Sequence, residues 1–282
     1  MSAAATVGRV VRDLPAISLD RLNQRAALMT RTDRKYLIDA DRCASLLDGL
    51  APDLAVLEID GARLMRYHST YFDTEDLWTY RAHLQGRRRR YKVRLRTYVD
   101  TGAHFLEVKH KGHRAVTEKS RVPYVGRVAP HHPPLLGDPG HRYVSAVVRD
   151  VYGLRLPGHL RATVTTANRR ATLLLPDASR MTVDVDLRLI DHRGSAGTAV
   201  LRPGFAMVET KSVGGMSAAD QALRALGVRP VKISKYCAAV GLHRPDLPSN
   251  PWCRVLRTYF ELPRTDRCRA SAPVTGVVRG SS

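Results

Sequence analysis

Polar and apolar residues alternate along much of the chain, and the clearest alternation lies in the stretch "YKVRLRTY" (91–98). Lys92, Arg94 and Arg96 occupy every second position there, and mainly apolar residues fill the positions between them. Side chains of a β-strand point alternately to its two faces, so this pattern predicts a strand with one cationic face and one apolar face.

The same period of two recurs in other stretches, and each of them carries charged residues on one predicted face. These stretches are "RKYLI" (34–38), "RLMRYHSTYFDT" (63–74), "HFLEVKHK" (104–111), "AVTEKSRVPYV" (115–125), "LRATVTTANRRATLLL" (160–175), "RMTVDVDLRLI" (180–190) and "GFAMVETKS" (204–212). Their charged faces group Glu107 with Lys109 and Lys111, Lys119 with Arg121, Arg180 with Asp184 and Asp186, and Glu209 with Lys211. A charged face thus recurs on strand after strand.

Helical patterns separate the predicted strands. They cover 18–29, 39–50, 75–86, 141–154, 217–227 and 232–243, with Ser18 and Ser217 as predicted N-caps. We predict a partly helical leader (1–30), one continuous body (31–244) and a basic, unstructured tail (245–282), where the periodicity is lost. The body is predicted to have an α+β fold, mainly an antiparallel β-sheet or β-barrel with flanking helices.

The net charge of the chain is strongly positive. Among 282 residues, 46 are Lys or Arg and 26 are Asp or Glu, which gives a formal charge of +20. Such an excess indicates an anionic partner, such as nucleic acid, anionic lipid or polyanionic phosphate. The hydrophobic share of 44% is enough for a packed core. No apolar run approaches the roughly 18 residues that a membrane-spanning helix needs.

The charged strand faces have three possible explanations. One such face alone is most simply a surface in contact with water. Five or six in one domain favour either an open basic binding sheet or a closed barrel whose charged residues surround a wet interior. Burying so many cations is costly unless acids and a bound polyanion compensate them. We therefore expect a charged tunnel, with the open sheet as the alternative.

The residue types in these faces suit phosphate and a hard metal ion. Arginine offers a planar fork to phosphate, and lysine offers a compact charge. Carboxylates among such cations match Mg²⁺ or Mn²⁺, which bind acidic side chains together with substrate phosphates. Glu209 is the best candidate ligand, followed by Glu107, Asp184 and Asp186. The alternative for each acid is an internal ion pair.

Several classes of protein are not supported. The chain contains no P-loop, no GxGxxG before a helix, no HExxH and no GxSxG. Its few aromatic residues do not interleave with the basic strands, so we do not expect nucleic-acid binding. The four cysteines form no CxxC pair, and no secretory signal is evident, so we expect a cytoplasmic protein.

An ordered set of these stretches resembles the VTC-type polyphosphate polymerase domain, of the triphosphate tunnel metalloenzyme or CYTH-like superfamily. The resemblance runs from about residue 31 to residue 241. The matching pieces are "RKYLI" (34–38), "YFDTEDLWTYRAHLQG" (71–86), "YKVRLRTY" (91–98), "FLEVKHK" (105–111), "EKSRVP" (118–123), "RRATL" (169–173), "SRMTVDVDL" (179–187), "VETKS" (208–212) and "KISKY" (232–236).

The resemblance implies a tunnel-shaped barrel that binds phosphate chains. It implies transfer of the γ-phosphoryl group of ATP to a growing polyphosphate, with release of ADP and with Mn²⁺ or Mg²⁺ as the cofactor. Arg94, Arg96 and Lys235 would act in catalysis, and Glu209, with Glu107 second, would hold the metal. Phosphate would be bound by Lys35, Lys109, Lys119, Arg121, Arg169, Arg180, Lys211 and Lys232.

One departure and several alternatives accompany this resemblance. Many relatives begin the first strand with glutamates, whereas this chain reads "TDRK", with Asp33 as the acid. A non-catalytic polyphosphate-binding or regulatory subunit and a triphosphate hydrolase of the same fold are the alternative functions. The eukaryotic polymerases carry further sensing and membrane domains, so a separate membrane protein is a possible partner here. The sequence does not indicate an oligomeric state.

Overall fold

A computed structural model describes residues 2–26, 32–112, 117–126, 134–193 and 197–262. Most of its strands lie where polar and apolar residues alternate in the sequence. The strands are β1 (Ala16–Ile17), β2 (Thr32–Asp39), β3 (Ala55–Leu57), β4 (Met65–Asp73), β5 (Tyr91–Tyr98), β6 (Ala103–Lys111), β7 (Thr117–Pro123), β8 (Arg161–Leu174), β9 (Arg180–Asp191), β10 (Thr198–Leu201), β11 (Phe205–Ser212) and β12 (Phe260–Glu261). The helices are α1 (Ala3–Asp13), α2 (Leu19–Arg25), α3 (Ala40–Leu50), α4 (Trp78–Leu84), α5 (Gly137–Tyr152), α6 (Ala218–Ala225), α7 (Lys235–His243) and α8 (Cys253–Tyr259), with a 3₁₀ turn at Ala51–Asp53.

The strands form one mainly antiparallel sheet, as predicted. Its main path runs β12–β10–β9–β8–β4–β5–β6–β7, and β11 joins β9 to β2. The exception is the short β1, which lies parallel to β3. In the described part of the chain β2 and β7 form no strand pairing, so the sheet is open rather than a closed barrel. An ion pair between Lys109 of β6 and Asp33 of β2, at 3.2 Å, connects the two sides there.

Apolar residues on the outer face of the sheet are covered by helices. Helices α1, α3 and α6 bury one part of the sheet, with Val183 of β9 and Val208 of β11 in the same cluster. Helix α5 buries another part, around Val93 and Val108. Within the described residues, no helix has the length and apolar character needed to cross a lipid bilayer. Because helices cover the apolar face of the sheet, its charged face is turned to the interior.

Helix α7 closes one end of that interior. The inward positions of β2 and β11 change there from charged residues to the apolar Leu37 and Met207. Both belong to one buried cluster with Tyr236 and Val240 of α7. Burying these side chains together is favourable, and it fixes α7 against the sheet. The first residue of α7 is Lys235, so this packing also places a lysine at the charged interior.

The predicted helix starts at Ser18 and Ser217 are confirmed. Each serine side chain accepts a hydrogen bond from the backbone N–H three residues later, which satisfies a donor at the helix start. Other elements differ from the prediction in their bounds, or were not predicted. Helix α5 begins at Gly137, four residues before the predicted 141, and the short strand β10 was not predicted at all. A four-residue strand gives too little alternation to detect.

The prediction of an unstructured tail from residue 245 is wrong for residues 253–261. Helix α8 and strand β12 lie there, and β12 pairs with β10. Three apolar residues anchor this segment in the core: Trp252 just before α8, Leu256 within it and Phe260 in β12 are all buried. The prolines and charges around them conceal this short apolar pattern in the sequence. Residues 263–282 lie outside the described residues.

Candidate functional site

The inward faces of the sheet enclose a polar cavity of about 210 Å³. Strands β2, β4 to β8 and β11 contribute side chains to it, and so do Lys235 at the start of α7 and the preceding Ser234. The side chains that line it are those of Lys35, Tyr67, Ser69, Tyr71, Lys92, Arg94, Arg96, Lys109, Glu118, Lys119, Thr166, Asn168, Arg170, Met207, Glu209, Lys211, Ser234 and Lys235. Nine of these are cations and two are acids. The predicted charged interior is therefore present.

The strand register brings lysines from separate stretches of sequence side by side. Lys92 of β5 is paired with Lys109 of β6, which in turn is paired with Lys119 of β7. Side chains opposite each other in an antiparallel pair share one face, so the three lysines form a row across the cavity wall. Like charges in such a row repel one another, and this repulsion favours a bound anion.

Glu107 lies beneath two of the cations rather than in the cavity. Its side chain is 1% exposed, and its carboxylate contacts Arg94 at 2.6 Å and Lys119 at 3.1 Å. Burial acts to raise the pKa of Glu107, but Arg94, Arg96 and Lys119 outweigh it and hold the pKa well below its usual value. The prediction of Glu107 as a metal ligand is therefore not supported, since both oxygens already bind cations. Glu107 instead compensates and orients Arg94.

Asp184 likewise compensates and orients cations, at the α7 end of the cavity. It is 1% exposed, and it contacts Arg170 at 2.5 Å and Lys235 at 2.7 Å. Burial acts to raise the pKa of Asp184, but these two cations lower it well below its usual value. Asn168 donates to Asp184 at 3.0 Å and accepts from Lys235 at 2.6 Å. The four side chains form one network that fixes Arg170 and Lys235.

Asp73 connects the first turns of α4 and α7. Its carboxylate accepts hydrogen bonds from the backbone N–H groups of Thr79 and Tyr80 at 2.9 and 3.0 Å, at the start of α4. The hydroxyl of Tyr236 in α7 donates to the same carboxylate. Because Tyr236 follows Lys235 directly, Asp73 ties the position of that lysine to β4 and α4.

Glu209 is the buried carboxylate that lines the cavity itself. Its side chain is 16% exposed, and Lys211 lies 3.6 Å away. Burial acts to raise the pKa of Glu209, but the surrounding lysines and Arg170 hold it well below its usual value. No group of three or more metal-binding side chains occurs among the described residues. An ionised carboxylate open to the cavity nonetheless fits Mg²⁺ or Mn²⁺, which take one or two carboxylates together with substrate phosphates.

Positive charge exceeds negative charge around the cavity. Besides Glu118 and Glu209, the acids that contact its cations in the described part of the chain are Glu107, Asp184 and Asp33. Among the described residues the cations therefore outnumber these acids by nine to five. The Nε of Arg96 is buried and makes no hydrogen bond to any described residue. A buried donor without a partner is costly, and it indicates a ligand that would accept from it.

Two of the cavity lysines have a lowered pKa. Burial lowers the pKa of Lys92 to about 8, and the nearby Lys109 and Lys35 act in the same direction. Burial also lowers the pKa of Lys235 to about 8, although Asp184 opposes the shift. Both lysines lose charge as the pH rises through 8, whereas an ordinary lysine remains protonated there.

We expect the affinity of the cavity for a triphosphate anion to fall by roughly tenfold between pH 7 and pH 9, because charge-assisted contacts to its phosphates are lost. Binding raises the lysine pKa values again, so it should take up protons at pH 8. Calorimetry in buffers of different ionisation enthalpy measures both effects. Lys92→Arg should weaken the pH dependence, since arginine stays protonated, and the exposed Lys232→Arg should not. An unchanged profile in Lys92→Arg would contradict the assignment.

Four of the predicted phosphate-binding residues do not line the cavity. Arg121 is exposed, and its guanidinium stacks 4.3 Å from the centre of the Phe105 ring. Lys232 is exposed in the segment before α7. Arg180 lies opposite Lys211 in the sheet, but its guanidinium donates to the carbonyl of Leu22 at 3.0 Å. The family resemblance implied a phosphate-binding role for all three, and alternation had placed Arg121 and Arg180 on charged faces. Neither kind of information determines where a long side chain ends.

Arg169 is the fourth predicted phosphate-binding residue that does not line the cavity, and the neighbouring Arg170 lines it instead. Arg169 is half-exposed and paired with Asp186, whereas Arg170 lines the cavity. A β-bulge between Ala167 and Arg169 shifts the register of β8 against β9, and a shift by one residue exchanges the two faces of a strand. Because Arg169 and Arg170 are adjacent, the sequence alone does not show which of them faces the cavity. Asp186, a candidate metal ligand by sequence, is likewise outside the cavity.

The chain matches the family described as the VTC domain over residues 30–243. Among curated proteins, none matches it in sequence. Its fold is similar to that of a candidate adenylate cyclase from Bacillus halodurans, at 13% identity and a TM-score of 0.42, covering 73% of this chain and 96% of that one. A candidate adenylyl cyclase from Hippeastrum, reported to have a dominant triphosphatase activity, shows 15% identity and a TM-score of 0.42, over 78% and 99% of the two chains.

Proposed function

This chain belongs to the VTC domain family, and from that premise we propose that it transfers the γ-phosphoryl group of ATP onto a polyphosphate chain. Family membership supports a function that involves triphosphates, and the specific reaction, polymerisation of phosphate, is our proposal. The observation that carries it is the excess of cations around the cavity, together with the buried Nε of Arg96, which makes no hydrogen bond to any described residue. Successive phosphates would supply the missing negative charge along the whole cavity.

In this reaction the side chains act mainly by positioning and by stabilising charge. Arg94 and Arg96 lie on adjacent inward positions of β5 and would orient the phosphates of the two substrates. Lys235, held by Asp184 and Asn168, would stabilise negative charge on the transferring phosphoryl group. The terminal phosphate of the acceptor chain is already an anion, so the reaction needs no dedicated general base.

Glu209 is the side chain that would hold a divalent cation in this reaction. A bound Mg²⁺ or Mn²⁺ would supply charge neutralisation at the phosphate oxygens. Lys35 and Lys211 flank Glu209 in the sheet and would bind phosphates beside it. Fixing Glu209 in β11, between β2 and β9, keeps its carboxylate at one depth in the cavity.

The proposal is tested by incubating the purified protein with ATP and Mn²⁺, with and without a short polyphosphate primer. We expect a ladder of lengthening chains on a gel and release of ADP in matching amounts. Free phosphate without long chains would replace the proposal by a triphosphate hydrolase. Tight binding of polyphosphate with neither product would indicate a non-catalytic binding subunit.

A further inference from the structure

The four consecutive arginines Arg87–Arg90 form the turn between α4 and β5, and the proposed reaction does not use them. Arg87, Arg88 and Arg89 are exposed. Within the described part of the chain, none of the four lies within 4.0 Å of a carboxylate. Adjacent uncompensated cations repel one another, which makes the turn a strong attractor for a polyanion.

The backbone of this turn is well fixed. Gly86 adopts a left-handed conformation (φ +65°), which ends α4, and the N–H of Arg87 donates to the carbonyl of Ala82 at 2.9 Å. The guanidinium of Arg90 donates back to the carbonyl of Gly86 at 3.2 Å and to that of Arg87. The arginines therefore project from an ordered support, and a ligand loses less conformational entropy in binding them.

The turn is continuous with the cavity. Arg90 precedes β5, two residues before the cavity-lining Lys92. The hydroxyl of Tyr152 lies 2.9 Å from the carbonyl oxygens of both Arg90 and Lys111 and shares its one proton between them, which holds the turn against the end of β6. Burial lowers the pKa of Lys111, and the positive charges of Arg90 and Lys109 lower it further. One region of positive potential thus reaches from the cavity wall to the turn.

We propose that the Arg87–Arg90 turn is an external binding site for the part of a polyphosphate chain that extends beyond the cavity, an inference that rests on the proposed function. From Arg96 to Arg90 the strand covers about 20 Å at 3.3 Å per residue. A short chain held by Arg94 and Arg96 does not reach the turn, whereas a long chain does. Arginine suits this role because each guanidinium binds phosphate through two parallel hydrogen bonds.

The chemistry of the turn favours polyphosphate over a membrane surface. None of the exposed large apolar side chains of the described chain lies between residues 85 and 90. Such side chains are what insert between lipid headgroups, and without them a basic turn attracts anionic lipid through its charge alone. A free polyanion needs only an ordered row of cations, which the turn provides.

The test compares two double variants with equal loss of charge. Arg88→Gln with Arg89→Gln removes two exposed cations of the turn, and Arg254→Gln with Arg257→Gln removes two exposed cations of α8. Binding of tripolyphosphate and of long-chain polyphosphate is measured by calorimetry at several salt concentrations. We expect the turn variant to bind long chains about tenfold more weakly. Its salt slope should fall by about two, with tripolyphosphate binding unchanged. The α8 variant should match the wild type.

Three outcomes would overturn the inference. The turn variant could bind long chains as tightly as the wild type, or the α8 variant could lose as much affinity, which would mean a general effect of charge. The third is that the turn variant loses binding to phosphatidylserine vesicles while its polyphosphate affinity is unchanged, which would assign the turn to a membrane. A wild-type protein that binds no tripolyphosphate would instead contradict the proposed function, and the two failures are therefore distinguishable.

Discussion

Replacing Glu209 with Gln should lower phosphoryl transfer by about 10²–10³-fold while polyphosphate remains bound, since that is the usual loss when one charge-stabilising group of a site is removed. Glu209 is the buried carboxylate that faces the cavity, and its amide analogue cannot neutralise a divalent cation. The strand around it is paired on both sides, with Lys35 and with Thr182, so the backbone should not move. Removing a negative charge from a cationic cavity should leave polyphosphate affinity equal or higher.

Glu118→Gln is the matched control for this substitution. Glu118 also lines the cavity, but it is exposed on β7, at the edge of the sheet. The same chemical change there should alter turnover by less than about threefold, as expected for an exposed charge. Release of ADP and binding of polyphosphate are measured for both variants and for the wild type. Turnover by Glu209→Gln close to that of the wild type would remove Glu209 from the metal site.

Replacing Asp184 with Asn should lower the free energy of unfolding by about 3–5 kcal/mol, the usual cost of removing one partner from a buried ion pair. Asp184 is 1% exposed and balances both Arg170 and Lys235. Without it two buried cations face each other, with only neutral amides between them. Urea unfolding followed by circular dichroism measures the change, with equal slopes required for a valid comparison.

Asp186→Asn is the matched control, two residues along the same strand. Asp186 pairs with Arg169 at a half-exposed position, and an ion pair of that kind contributes about 0–1 kcal/mol. Added polyphosphate should restore much of the lost stability of Asp184→Asn, because its phosphates supply the missing negative charge. A loss no larger than that of Asp186→Asn would show that Arg170 and Lys235 do not depend on Asp184.

The alternation of polar and apolar residues was sufficient to predict most of the sheet and the charged interior. Lys92, Arg94 and Arg96 were assigned to one face from spacing alone, and all three line the cavity. The assignment succeeded for β5 because α5 covers its apolar face, around Val93, so that the charged face is the one turned to the interior. Strands shorter than five residues, such as β10, gave no comparable signal.

The depth of a charged side chain within the site could not be predicted. Glu107 and Glu209 both occupy inward positions of their strands, yet Glu107 lies under Arg94 and Lys119 while Glu209 faces the cavity. The difference depends on which cations stand opposite each acid, and that is set by the register between strands. Register between distant strands, and bulges such as the one before Arg169, are not encoded in local spacing.

The open edge of the sheet has a topological consequence for a polymeric ligand. A closed ring admits a long chain only by threading one of its ends. Here β2 and β7 share no strand pairing in the described residues, and the ion pair between Lys109 and Asp33 bridges the gap. A partly exposed ion pair of this kind costs far less to separate than a row of backbone hydrogen bonds costs to break. A polymer could therefore be laid in sideways at an internal position, without access to either of its ends.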